Sequence, residues 1–114
     1  METARDVIVG WSSKLLAMGA RAGDLGITCR FLVEGVGGGA WLFRCRPPVA
    51  VTEERENSAV VPDADCTVVV SADDLVLWGA GKLNPQAAVQ SGRVRVSGDG
   101  SAALRFGFYI DEGR

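Results

Sequence analysis

The sequence contains no histidine, and that absence removes the commonest general base together with every Ser-His or Cys-His nucleophile pair. Cysteine is scarce: Cys29, Cys45 and Cys66 form no CxxC, and without histidine the usual zinc ligand sets cannot be assembled within one chain. No metal and no cofactor is therefore expected. Charge of one sign is also missing, since 12 basic and 14 acidic residues leave a net charge of −2. No basic cluster follows a phosphate backbone, which argues against a nucleic-acid partner. No apolar run approaches the ~20 residues that span a bilayer, so stable membrane insertion is not expected. Residues 1–6 lead into a helical pattern rather than a signal peptide, and the expected location is the cytoplasm.

What is present describes an ordinary folded chain. The 114 residues fit one domain over 1–114, whose folding should bury roughly two thirds of the unfolded surface. Hydrophobic residues make up 47% and charged residues 23%, near globular averages. Glycine, at 15 residues, is about twice its usual share of roughly 7% and points to short elements and tight turns.

Val7, Trp11, Leu15 and Met18 mark an amphipathic helix over about 3–21, with Gly23 as its stop. Ile27, Cys29, Phe31 and Val33 alternate with polar or outward residues, as do Trp41, Phe43 and Cys45, and glycines 35 and 37–39 lie between them. This is the pattern of a β-hairpin with an aromatic inner face. Pro47-Pro48 ends the second strand. Residues 49–52 and 59–61 are weaker candidates for a third, with the charged stretch 53–57 expected as an exposed turn or bulge. A β-branched strand follows at 66–70. Ser71-Ala72-Asp73-Asp74 opens a short helix through Leu75 and Trp78, and Asn84-Pro85 opens a second one to Gln90. A strand over 93–97 and a helix capped by Ser101 complete the chain. Helices segregated from a largely antiparallel sheet make this α+β.

Four ordered segments carry a family resemblance: Ala64-Asp65-Cys66-Thr67, Gly81-Lys82-Leu83-Asn84-Pro85-Gln86, Ser91-Gly92-Arg93-Val94-Arg95-Val96, and Gly98-Asp99. In order and spacing they resemble the sterol carrier protein type-2 (sterol-binding domain) family. The resemblance implies a mostly antiparallel five-stranded sheet with helices over one face and an apolar cavity between the layers. It also implies binding of a hydrophobic small molecule, such as a fatty acid, acyl ester or sterol, without transforming it. The chain departs from the family at Pro47-Pro48, in the acidic segment 53–56, and at its end, where Asp111-Glu112-Gly113-Arg114 replaces the Ser-Lys-Leu peroxisomal address.

Phe31, Trp41, Phe43, Leu75, Trp78, Leu83, Val89, Leu104 and Phe108, with Ile27 beside them, are candidates to line such a cavity; for each the plainer role is core packing. Gln90, at a helix end, is the polar candidate for a ligand headgroup, while Gln86 reads as helix surface. Gly35-x-Gly37 imitates a dinucleotide fingerprint but continues as strand, and Gly79-Ala80-Gly81-Lys82 lacks P-loop spacing. A hairpin symmetric about Gly37 would set Cys29 opposite Cys45. Buried thiols are still the better reading there, because opposed strand positions sit wide for a disulfide and the cytosol is reducing.

Two further functions fit the same pattern. One is a biosynthetic cyclase or isomerase that uses the cavity's shape, with Asp73, Asp74 or Tyr109 as weak acid/base groups. The other is an accessory domain that docks on a protein partner.

Overall fold

A computed structural model describes residues 3–54 and 64–112, with residues 20 and 108–112 as backbone only. The order is α1 (Ala4–Met18), α2 (Ala20–Gly23), β1 (Ile27–Glu34), β2 (Gly39–Cys45), β3 (Ala50–Glu54), β4 (Cys66–Ser71), α3 (Ala72–Gly79), α4 (Pro85–Gln90), β5 (Val94–Gly98) and α5 (Gly100–Glu112). The strands form one sheet in the order β3-β2-β1-β4-β5. β1 pairs antiparallel with β2, β2 with β3, and β4 with β5, whereas β1 and β4 run parallel. The sheet is thus mixed while mostly antiparallel.

The alternation read from the sequence decides which face is buried. Ile27, Cys29, Phe31 and Val33 on β1, Trp41, Phe43 and Cys45 on β2, and Cys66, Val68 and Val70 on β4 are all buried, as period-2 side chains on one sheet face should be. Against them lie Val7, Ile8, Trp11 and Leu15 from α1, Leu75 and Trp78 from α3, and Ala102 and Phe106 from α5. At the centre Phe31 sits 5.4–5.9 Å, centroid to centroid, from the rings of Phe43, Phe106, Trp11 and Trp78. Such aromatic pairs add ~0.5–1.5 kcal/mol each beyond the area they bury. On the opposite face Arg30 forms a two-pronged ion pair with Glu54 across the sheet, Nε–Oε1 2.7 Å and Nη2–Oε2 3.1 Å.

Local signals explain most boundaries. Thr3 and Asp6 cap α1 reciprocally, Ser71 accepts from the Asp74 amide, and Asn84 accepts from the Gln86 and Ala87 amides.

Four details differ from the sequence reading. The first helix does not run to residue 21: it ends at Gly19, whose φ of +56° lies in the region that favours glycine, and α2 follows as a separate turn. The hairpin pairs Val33 with Gly39, so Gly39 belongs to the strand and the midpoint falls at Val36. Cys29 therefore faces Phe43, and Cys45 faces Ile27. Glu53 and Glu54 extend β3 rather than forming a turn, because Glu54 has Arg30 to receive it. The candidate strand at 59–61 and residues 55–57 lie outside the described residues. Finally, α5 is capped by Asp99, whose Oδ1 accepts from the Ser101 and Ala102 amides at 2.9 and 3.2 Å, and not by Ser101.

Candidate ligand-binding cavity

The β5 edge of the sheet is where the helical layer parts. Between α4 and α5 lies a space of about 690 Å³, within the range of roughly 300–1,000 Å³ typical of small-molecule sites. Its floor is Val68 from β4 and Val94 and Val96 from β5, with Trp78 of α3 at the inner end. Pro85, Gln86, Val89 and Gln90 of α4, preceded by Asn84, form one wall. Gly100, Ala103, Leu104 and Gly107 of α5 form the other. Val89 and Leu104 are 45% and 49% exposed, so apolar side chains from both walls stand at the mouth.

The space follows from the residue types chosen for α5. Three of its four described lining positions are glycine or alanine, and a Cβ built at Gly100 or Gly107 would touch nothing within 4 Å. Glycine inside a helix costs roughly 0.8–1.0 kcal/mol relative to alanine; Gly107 bears that cost and leaves volume on the cavity side. Phe106, on the other face of α5, is fully buried beside Phe43 at 5.2 Å. One face of the helix is anchored and the other is kept small.

The polar complement is narrow. The described lining offers only the side-chain amides of Asn84, Gln86 and Gln90 besides the Trp78 indole, and no ionisable group. Asn84 is committed to capping α4. Asp74, on α3, accepts from Arg93 Nη2 at 2.6 Å, and that bond holds its carboxyl below the usual range. Nothing in this set is arranged to move a proton. Among the described residues no cluster of three Cys, Asp or Glu side chains converges as metal ligands, and no helix is long and apolar enough to cross a membrane.

Of the residues singled out from sequence, the structure brings Trp78, Val89, Gln90 and Leu104 together on the cavity wall. Phe31, Phe43 and Leu75 are fully buried in the central core, and Leu83 is buried in the link between α3 and α4. Trp41 lies two strands away from β4, under the Arg5 guanidinium at 5.6 Å. The side chains of Phe108 and Tyr109 lie outside the described residues. Sequence reasoning passed over Val68, Val94 and Val96, whose alternation is that of any core strand, and Gly100, Ala103 and Gly107, which matter by what they leave empty. Gln86, read from sequence as solvated helix surface, is exposed and also borders the cavity mouth.

The same architecture recurs in known proteins. The structure superposes on palmitated SCP2L2 from Aedes aegypti with a TM-score of 0.77 at 17% identity, covering 96% of this chain and 95% of that one. For sterol carrier protein 2 from Yarrowia lipolytica, in its apo form, the TM-score is 0.75 at 15% identity over 95% and 89% of the two chains. The UbiJ-SCP2 ubiquinone synthesis protein gives 0.63 at 25% identity over 92% and 88%. Among curated proteins no sequence match is significant. At the level of sequence families, the SCP-2 sterol transfer model matches residues 14–111, a span that takes in every described residue lining the cavity, and the chain belongs to the SCP-2 sterol transfer family.

Proposed function

We propose that this protein binds and carries a hydrophobic small molecule in the cavity between α4 and α5. The observation that carries this reading is a cavity of about 690 Å³ whose walls are valine, leucine, tryptophan, proline and small residues with a few amides. Family membership supports the same reading, and so do two neighbours: one is a palmitated protein and another a ubiquinone synthesis protein. Fatty acids, acyl esters, sterols and comparable lipids are the ligand classes in view. An enzymatic use of the cavity is less well supported, because the described lining contains no acid, base or nucleophile and Asp74 is tied to Arg93.

Native mass spectrometry of protein purified without detergent tests the proposal. A single apolar adduct per chain is expected, either copurified or loaded from an alkanol, a fatty acid or a sterol. A chain that neither retains nor accepts any of these is not a carrier.

A further inference from the structure

The carboxamides on α4 stand in a particular electrostatic setting. Gln86 and Gln90 are four residues apart on one helix and both reach the cavity, and positions so spaced are neighbours on a helix face. Together they present two carbonyl acceptors and four N–H donors. Among the described residues neither side chain is engaged by another protein group.

The cations nearest in sequence to the lining are directed elsewhere. Arg93 and Arg95 flank Val94, but Arg93 is bound to Asp74 and Arg95 to Glu34, each at 2.6 Å. Arg105, beside Leu104, is close enough to Asp65 to help hold its carboxyl low. Lys82 is exposed and is not part of the lining. The N-terminus of α5, at Gly100, would otherwise attract an anion; the Asp99 carboxylate already occupies it.

From this arrangement we infer that Gln86 and Gln90 form a headgroup reader that selects uncharged lipids bearing a hydroxyl over ionised fatty acids. The inference rests on the carrier reading above. A hydroxyl donates to one amide oxygen and accepts from an amide N–H, so it uses both halves of the pair. An ionised carboxylate can only accept. At the cavity mouth, where both glutamines are exposed, it would face the two carboxamides with no cation among the described lining residues to offset its charge.

Three probes with one reporter test this: a pyrenyl-dodecanol, its carboxylic acid analogue and the methyl ester of that acid, titrated at pH 7.5 by pyrene fluorescence. The alcohol is expected to bind about tenfold tighter than the acid, a difference of about 1.4 kcal/mol. The ester, uncharged but lacking a donor, should fall between them. In Q86L/Q90L the alcohol should lose about five- to tenfold, the scale of one or two net hydrogen bonds, while the acid is unchanged, so the preference disappears. Equal or tighter binding of the acid overturns the inference, as does a preference for the alcohol that survives in Q86L/Q90L. In either case the carrier reading stands. Failure of all three probes to bind overturns the carrier reading and the headgroup reader with it.

Discussion

Asp65 shows how a motif residue can be structural. Its carboxylate Oδ2 accepts from the Thr28 amide and from Arg46 Nη2, both at 2.7 Å. Its amide donates to the Thr28 carbonyl, and its own carbonyl accepts from the Asp99 amide. One residue thereby ties the start of β1 to that of β4 and to the turn before α5. The hydrogen bond from Thr28, followed by that from Arg46, lowers its pKa. A carboxyl lowered on folding stabilises fully above its unfolded pKa of ~3.9, and the contribution is lost as pH falls through the folded value. Asp65→Asn should therefore lower the urea midpoint at pH 7, and the gap from wild type should close as acid protonates Asp65. A gap independent of pH would assign the effect to shape rather than charge.

The three thiols make a second case at this scale. Cys29 and Cys66 share a hydrogen bond at 3.2 Å, and that bond, with burial, raises the Cys29 pKa, while burial pushes Cys45 up to about 11. Because all three thiols are buried, a chromogenic disulfide reagent at pH 8 should leave the folded protein unlabelled for minutes and react with all three cysteines in urea. The burial was legible from strand alternation. The neighbour of Cys29 was not, because a parallel β1–β4 pairing joins residues 37 apart and leaves no local trace.

Two helical glycines should respond to alanine in opposite directions. A Cβ at Gly79 would come within 2.6 Å of Val7 Cγ2, so α3 and α1 approach at a point that excludes a methyl group. Gly79→Ala should destabilise by about 1–3 kcal/mol, as overpacking does. Gly107→Ala meets open space and should stabilise α5 by up to about 1 kcal/mol. Larger residues turn the second site into a probe of function. Gly107→Phe should fill the cavity and reduce ligand uptake at least tenfold with the melting temperature retained; unchanged uptake would place the ligand elsewhere. Trp78→Ala is a poorer probe, since Trp78 lines the cavity and also packs 5.2 Å from Trp11. Removing a buried tryptophan costs about 3–5 kcal/mol. The helices themselves were readable because caps, proline at the first turn of α4 and apolar spacing agree. Their unfilled faces were not, since glycine and alanine signal helix stops or neutral surface when read one residue at a time.

Across the whole molecule, the sequence separates well into buried and exposed strand positions but says little about where the layers part. Phe31, Trp41 and Phe43 attract attention as large apolar residues, and the fold uses Phe31 and Phe43 to close the core under α1, α3 and α5 and Trp41 to pack beside Arg5. The cavity instead opens above β4 and β5, where valines meet small residues. The central claim is thus about place as well as chemistry. Backbone amide shifts recorded by two-dimensional NMR during titration with an uncharged alkanol test both. The largest changes should fall on Val89, Gln90, Val94, Val96, Ala103 and Gly107, with the β1–β2 hairpin nearly unmoved. Shifts concentrated on Phe31, Trp41 and Phe43, with α4 and α5 silent, would contradict the account.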